Sequence, residues 1–493
     1  MSSTATHSAE EVLSETAPLL AGPMQHEPDQ EHEQRKKARA TRVLVLVGIT
    51  IVAVDFGDNL SYAPLVQILE QIICERQHSA GSIEGGSVSD CKSDTVQSEL
   101  ALLMGWMAFW NQVPGIILAL PYGFAADRIG RKPVLLLSVA GLLLQEAAVR
   151  FICWRSADIP IEAIWAAPVF QLLGGGPSVG SSMAFTMISD VFPASQKSSI
   201  FFRLTGAIVL GEILATPASA LAMSWTPWFP FLAGVAFELA ALISVFAIRE
   251  TKPADPKRGT DFPEQQGSYE RQALADPENW IQRIKNKWSN LRQRRPQIKV
   301  ISNVLLVATS YLMASMSRGA VQLVIQYASK KFSWTVAKSS LLVTIKGIIN
   351  FAILLFLLPQ ISSLIEKYTS SVRANFLIVK GSAWLLALGT ALMAFAQHPG
   401  AFTVGITCFA LGWGYYAALR SLAMSLVHPS QTGAVNSAIA LAQSVGATAS
   451  GPVLAFAFRR GISLGGIWMG LPYMVASLLF LGAGGLVIGI SLP

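Results

Sequence analysis

The chain has 493 residues, of which 52% are hydrophobic and only 14% charged, with a formal net charge of +7 and a mean hydropathy of +0.47. Soluble globular domains carry about 25% charged residues, so a soluble fold is excluded. Nor does the basic excess point to nucleic acid, because it gathers on the loops of one side, where a membrane protein keeps it.

Residues 1–40 are polar and rich in Ser, Glu and Gln, and they read as a disordered tail. They hold no cleavable leader pattern, so the first apolar span is expected to act as the signal. Within the tail, "SETAPLL" sets Glu15 ahead of Leu19 and Leu20. This is similar to an acidic dileucine sorting signal, which would favour a vacuole-type membrane over the plasma membrane otherwise expected.

Apolar runs of roughly 20 residues follow, each long enough to cross a ~30 Å hydrocarbon layer as a helix that satisfies its own backbone. They lie at 42–63, 99–122, 133–152, 162–190, 199–222, 227–248, 298–323, 337–359, 374–395, 401–426, 433–457 and 467–490. The predicted fold is an all-α membrane protein with about twelve transmembrane helices, divided into halves at 41–248 and 298–493. The segment between them, 249–297, places Trp280, Ile281, Ile284, Trp288 and Leu291 on one helical stripe among Arg283, Lys285, Lys287 and Arg292. That pattern suits an amphipathic helix on the inner leaflet; a solvated linker is the alternative.

Three basic segments, "EQRKKARATR", "DRIGRK" and "NWIQRIKNKWSNLRQRRPQIK", fall on one side if the spans alternate, which assigns that side to the cytosol. Lys330, Lys331, Arg459 and Arg460 fall on the other side. Cys74 and Cys91 share the first outer loop, facing an oxidising compartment in this topology, so they form either a disulfide or two free thiols.

The halves resemble each other. "LLGGGPSVGSSMAFTMISDVFP" ends the fourth span and "ALGWGYYAALRSLAMSLVHP" ends the tenth. Gly174 and Gly176 match Gly412 and Gly414, Pro193 matches Pro429, and Pro217 matches Pro452, at an offset of about 235–238 residues. Paired halves are common in secondary transporters.

Between the second and third spans runs "GFAADRIGRKPVLLL", starting at Gly123. Gly123 and Gly130 permit tight backbone. Asp127 and Arg131 are four apart and can pair, and Asp127 also suits a neighbouring helix N-terminus. Arg128 and Lys132 would hold the loop in the cytosol. This turn resembles the loop signature of the major facilitator superfamily, G-x-L-A-D-R-x-G-R-K, matching at Gly123, Ala126, Asp127, Arg128, Gly130, Arg131 and Lys132 and departing at Ala125. The resemblance implies two pseudo-symmetric six-helix halves and transport by alternating access. It also implies that Asp127 and Arg131 latch the halves in the outward-facing state with the acidic residue ending the fourth span, here Asp190, and that the cluster loosens in the inward-facing state.

Two family signatures are altered. Gln171 stands four residues before Gly175, where the family's proton-linked Arg is usual, and "GAIVLGEILATPASA" has Gly206, Gly211 and Pro217 without the Gly-Pro step of drug/proton antiporters. "QYASKKFSWTVAKSSLLVTIKGIINFAILLFLLP" resembles filamentous-fungal members, themselves distantly similar to folate carriers and tetracycline-efflux proteins.

Ionisable groups inside spans are costly and usually functional. Asp55 and Asp58, three apart in the first span, share a helix face; they would bind a proton or cation in a water-filled cavity, or sit solvated at a helix end. Glu212, Lys346 and Arg420 are expected deepest, in a cavity between the halves, with interhelical ion pairing as the alternative. Arg420 would dock a substrate carboxylate or carbonyl, and Glu212 or Asp55 would carry the proton. Glu146 and Glu238 read as structural. The six histidines, at 7, 26, 32, 78, 398 and 428, all lie in the tail, loops or helix ends, so any proton would ride on carboxylates. No metal-ligand or catalytic constellation is expected. "DFG" at 55–57 and the sequon at Asn59 are coincidental, and no G-x-x-x-x-G-K-[ST] occurs, so no nucleotide or other cofactor is expected. The function expected is proton-coupled efflux of a metabolite or toxic compound, with a small molecule, protons and the bilayer as partners. The alternatives are nutrient uptake, a polytopic membrane enzyme, or a sensor that kept the fold.

Overall fold

A computed structural model describes residues 27–79, 90–251, 295–427 and 432–490. The dileucine pattern at Glu15, Leu19 and Leu20 and the amphipathic stripe at 280–291 lie outside the described residues. Among the described residues, eleven helices are long and apolar enough to cross a membrane. In the first half they are Lys37–Ser79, Asp94–Ile129, Arg131–Trp154, Arg203–Ala222 and Trp228–Ala247, the first, second, third, fifth and sixth crossings. In the second half they are Ser302–Lys331, Val336–Glu366, Ser371–Phe395, Pro399–Ser425, Val435–Leu464 and Gly466–Ile488, crossings seven to twelve.

The fourth crossing is the exception, and its backbone explains why. A 3-10 stretch, Ile161–Leu173, runs into Gly174, and an α-helix resumes over Gly176–Val191. Gly175 (φ 79°) and Gly176 (φ 67°) occupy the left-handed region between the two pieces, which glycine enters without the cost a side chain imposes. The tenth crossing changes to a short 3-10 turn at Gly412–Gly414, the matching place in the other half. Pro217 and Pro452 sit inside the fifth and eleventh crossings. The glycine repeat is thus a repeat of helix interruptions, whereas the two prolines lie within continuous helices.

Each half has its own apolar core, built around residues such as Ile68, Leu69 and Phe231 in the first half and Tyr311, Phe409 and Phe480 in the second. The halves meet where the second crossing packs on the eleventh and the fifth on the eighth. Gly105 and Gly451 form the tightest point of the first contact. A Cβ on Gly105 would lie 2.7 Å from the Gly451 carbonyl oxygen, and one on Gly451 would strike the Gly105 carbonyl. Small residues at such crossings let membrane helices approach closely.

One end of the bundle is tied together. Cys74, at the end of the first crossing, is joined to Cys91 by a disulfide with Cα atoms 5.1 Å apart. Cys153 and Cys408 are free thiols.

Candidate functional site

A cavity of about 580 Å³ lies between the halves. Carboxylates, amides and one phenol of the first half form one wall: Asp58 and Tyr62 of the first crossing, Gln145 and Glu146 of the third, Gln171 of the fourth and Glu238 of the sixth. Arg318, Gln322, Lys346 and Trp413 of the second half face them. The chemistry is therefore split, with acid on one wall and base on the other.

Behind the acidic wall stands Arg150, which is 5% exposed. It donates to Glu146 Oε2 (2.5 Å), the Glu146 carbonyl (3.0 Å), the Phe231 carbonyl (2.8 Å) and Ser61 Oγ (2.9 Å), and its guanidinium lies 4.6 Å from the Phe231 ring centre. Asp58, Glu146 and Glu238 all lie within electrostatic reach of it. Asp58 is exposed to the cavity, whereas Glu238 is 2% exposed and both its carboxylate oxygens lack a hydrogen-bond partner. Glu146 and Glu238, expected to be structural, belong to this cluster. Arg150 did not stand out in the sequence, yet the signal was there: Glu146 and Arg150 sit at i and i+4 inside an apolar helix, the spacing of a facing ion pair. Gln171 is buried and donates to Gln145 Oε1. Its own Oε1 finds no partner.

At the interface between halves, Lys346 Nζ meets Glu212 Oε1 at 2.7 Å, with both side chains largely buried. Lys346 also lies 5.9 Å from the Trp413 ring. Asp55 is close enough to feel both charges, and Asn59 Nδ2 donates to its carboxylate at 3.2 Å. Glu212, Lys346 and Asp55 therefore form one group, which meets the Arg150 cluster where Asp55 faces Asp58.

Arg420 corrects the expectation. It is exposed and is absent from the cavity wall; it reaches the Tyr311 hydroxyl instead. It follows the cavity-lining Trp413 by seven residues, about two helical turns or roughly 10 Å, and so lies beyond the cavity. The arginine that does line the cavity is Arg318, stacked 5.3 Å from the Tyr416 ring.

The polar contacts between halves whose partners are both described lie beside the cavity or at the disulfide end. Lys92, next to Cys91, binds Glu70 of its own half at 2.7 Å and also Ser329 of the other half. Lys330 donates to the Lys92 carbonyl and pairs with Asp94 at 2.7 Å. Gln97 donates to Glu70, and Gln326 Nε2 donates to the Gln97 carbonyl at 2.8 Å. Tyr62 donates to the Gln322 carbonyl at 3.0 Å. The disulfide end is thus sealed. Of these sealing residues only Lys330 was noted from sequence, as a cation on the outer side, because charges at span ends look merely solvated.

At the opposite end sits the charged turn. Arg131 Nε pairs with Asp190 Oδ2 at 2.9 Å, while Asp127, 72% exposed, stands 3.8 Å from Arg131 Nη2. Glu250 accepts from the backbone N–H groups of Arg131 and Lys132, each at 3.0 Å. It thereby satisfies free donors at the N-terminus of the third crossing, where negative charge is favoured. Gly130 has φ 108° and its Cβ position is occupied by Glu250, so glycine is required there. Gly123 meets nothing within 4 Å, and Arg128 is exposed on the last turn of the second crossing. Although the opposite end is sealed, the Arg131–Asp190 pair stays intact rather than loosened. Its members and Glu250 all belong to the first half, so rocking of the halves need not separate them.

The major facilitator superfamily model matches residues 93–452. The chain belongs to the major facilitator superfamily. This transporter is 31% identical over 446 residues to the efflux pump ustT of Aspergillus flavus, covering 88% of this chain and 86% of that protein. It is also 31% identical over 470 residues to the MFS efflux pump atnC of Emericella nidulans, covering 92% and 88%. The class B tetracycline resistance protein of Escherichia coli is similar over a shorter stretch, 30% identical over 161 residues, covering 32% of this chain and 37% of that protein. Among solved structures, a D-xylose–proton symporter superposes with a TM-score of 0.62 at 14% identity, covering 91% of this chain and 98% of that one. At that identity the likeness shows the fold alone. The transporter is an integral, multi-pass membrane protein of two six-helix halves.

Proposed function

We propose that this transporter exports a small organic molecule in exchange for protons, with the cavity between its halves as the transport site. The observation that carries the reading is the Glu212–Lys346 pair, which joins the two halves beside the cavity at 2.7 Å. A proton placed on Glu212, or on neighbouring Asp55, removes the charge that holds Lys346 and frees the halves to rock. Removing one partner of such a largely buried pair costs about 3–5 kcal/mol, enough to bias a conformational equilibrium. Export is favoured by the names of the relatives, which are efflux pumps over most of the chain.

Arg318 is the residue we assign to the substrate. It faces the cavity, and its planar fork of donors fits a carboxylate or carbonyl. The basic segments place the charged turn in the cytosol, so the sealed disulfide end is the outer one and the structure corresponds to an inward-facing state. In this assignment the Arg131–Asp190 pair is already closed in the inward-facing state, and exposed Asp127 is the member of the turn left to latch the halves when the outer seal opens.

The test is transport by the purified protein in proteoliposomes against a metabolite extract of the organism that makes it. Uptake of defined compounds, reduced in Arg318→Ala, is expected. Failure of every extract component to move through protein shown to be folded would sink the proposal.

A further inference from the structure

The first half holds a second acidic group that the Glu212–Lys346 pair does not use. Glu238 projects from the sixth crossing into a setting drawn from two neighbours. The first crossing supplies Asp58 and the backbone of Gly57, where a Cβ would lie 3.7 Å from Glu238 Cγ. The third crossing supplies Glu146 and Arg150. The fifth crossing adds no charge to this setting, because Glu212 is paired with Lys346 and Arg203 is exposed at its start.

Three carboxyl groups thus share one arginine, and Arg150 is already committed. Its donors go to the Glu146 carboxylate and carbonyl, the Phe231 carbonyl and Ser61 Oγ. Glu238 is left at 2% exposure with neither oxygen hydrogen-bonded. An ionised carboxylate so placed would pay a desolvation cost that nothing returns, and buried groups in that position neutralise instead. The surroundings are nevertheless not sealed off: Glu238 and Asp58 both border the cavity, and Asp58 is exposed to it.

The geometry points to Glu238 as a proton-binding site of this transporter, loaded in the state seen here and reached from the cavity by way of Asp58. The inference rests on the proposed proton coupling for its part in transport, but not for the proton itself. The step is a simple transfer. The Glu238 O–H bond breaks, the proton passes to cavity water or to the Asp58 carboxylate, and the negative charge left behind then competes with Glu146 for Arg150. Deprotonation would therefore pull on the guanidinium that ties the third crossing to Ser61 of the first and to the Phe231 carbonyl of the sixth. Arg150 is a positioning residue in this scheme, and Glu238 is the group that takes and gives the proton.

Infrared difference spectroscopy on the purified full chain tests the proton directly. The wild type at neutral pH should show the C=O stretch of a protonated carboxyl group. Glu238→Gln should lose that band, whereas Glu238→Asp, which keeps the acid, should shift it. A band unchanged in both variants overturns the assignment. In proteoliposomes with an imposed pH gradient, accumulation should be lost in Glu238→Gln and partly recovered in Glu238→Asp. Accumulation at the wild-type level in Glu238→Gln would overturn the site while leaving proton coupling intact. A wild type that ignores the gradient would defeat the coupling proposal instead, and the infrared result would still decide whether Glu238 holds a proton.

Discussion

Replacing Lys330 by methionine should unseal the disulfide end. Lys330 belongs to the second half, and both of its cross-half partners belong to the first: the Lys92 carbonyl and the Asp94 carboxylate at 2.7 Å. The lysine side chain is only 12% exposed but Asp94 is 67% exposed. The ion pair is therefore discounted to the value of a surface bridge, about 0.2–1 kcal/mol. The charge-assisted hydrogen bond to the carbonyl contributes about 1.5–3 kcal/mol. Taking about 2 kcal/mol for the pair of contacts, the sealed state should lose a factor of about 30 relative to the unsealed one. Methionine keeps the length and apolar stem, so the helix packing is retained and only the polar contacts go.

The assay is a distance distribution between spin labels at Asp158 and His398, exposed residues of the two halves at this end, with Cys153 and Cys408 replaced by serine. The wild type should give one dominant short distance in the absence of substrate, and Lys330→Met should add a longer population. An identical distribution in the two proteins would refute the reasoning, because it would mean that helix packing alone holds the seal.

Replacing Cys74 and Cys91 together by serine should release the segment that carries Lys92 without freeing a thiol; closing a loop of 17 residues stabilises by about 3 kcal/mol, so thermal unfolding should come earlier and the longer spin-label distance should grow. Glu212→Gln should lower the stability of the purified protein by leaving Lys346 unpaired, and adding Lys346→Met should restore part of it. A double variant no more stable than the single one would show that the pair is not coupled.

The crossings were legible because each is a long apolar run, and the repeat was legible because Gly and Pro act on backbone geometry directly. Even so, hydropathy could not show that the fourth crossing is broken; the glycine triplet at 174–176 carried that information. The site was only partly legible. Depth along a span can be counted, but the face a side chain presents depends on helix rotation and on the partner half. Arg420 and Arg318 are both intramembrane arginines by sequence, and only packing shows that Arg318 borders the cavity. Glu238 looked structural because an isolated acid in an apolar helix gives no hint of Arg150 and Asp58 on two other helices. The Glu250 cap was hidden because it joins residues about 120 apart in sequence and depends on backbone donors, which sequence does not display.

The central claim is that proton movement drives the cycle, and the direct measurement is transport under pH gradients of opposite sign. Purified transporter in proteoliposomes, with orientation fixed by protease accessibility of the charged turn, should concentrate its substrate on the side made acidic. Reversing the gradient should reverse the direction, and an ionophore that collapses it should leave only equilibration. Equal rates and equal final levels under both gradients would contradict the account and make the protein a uniporter.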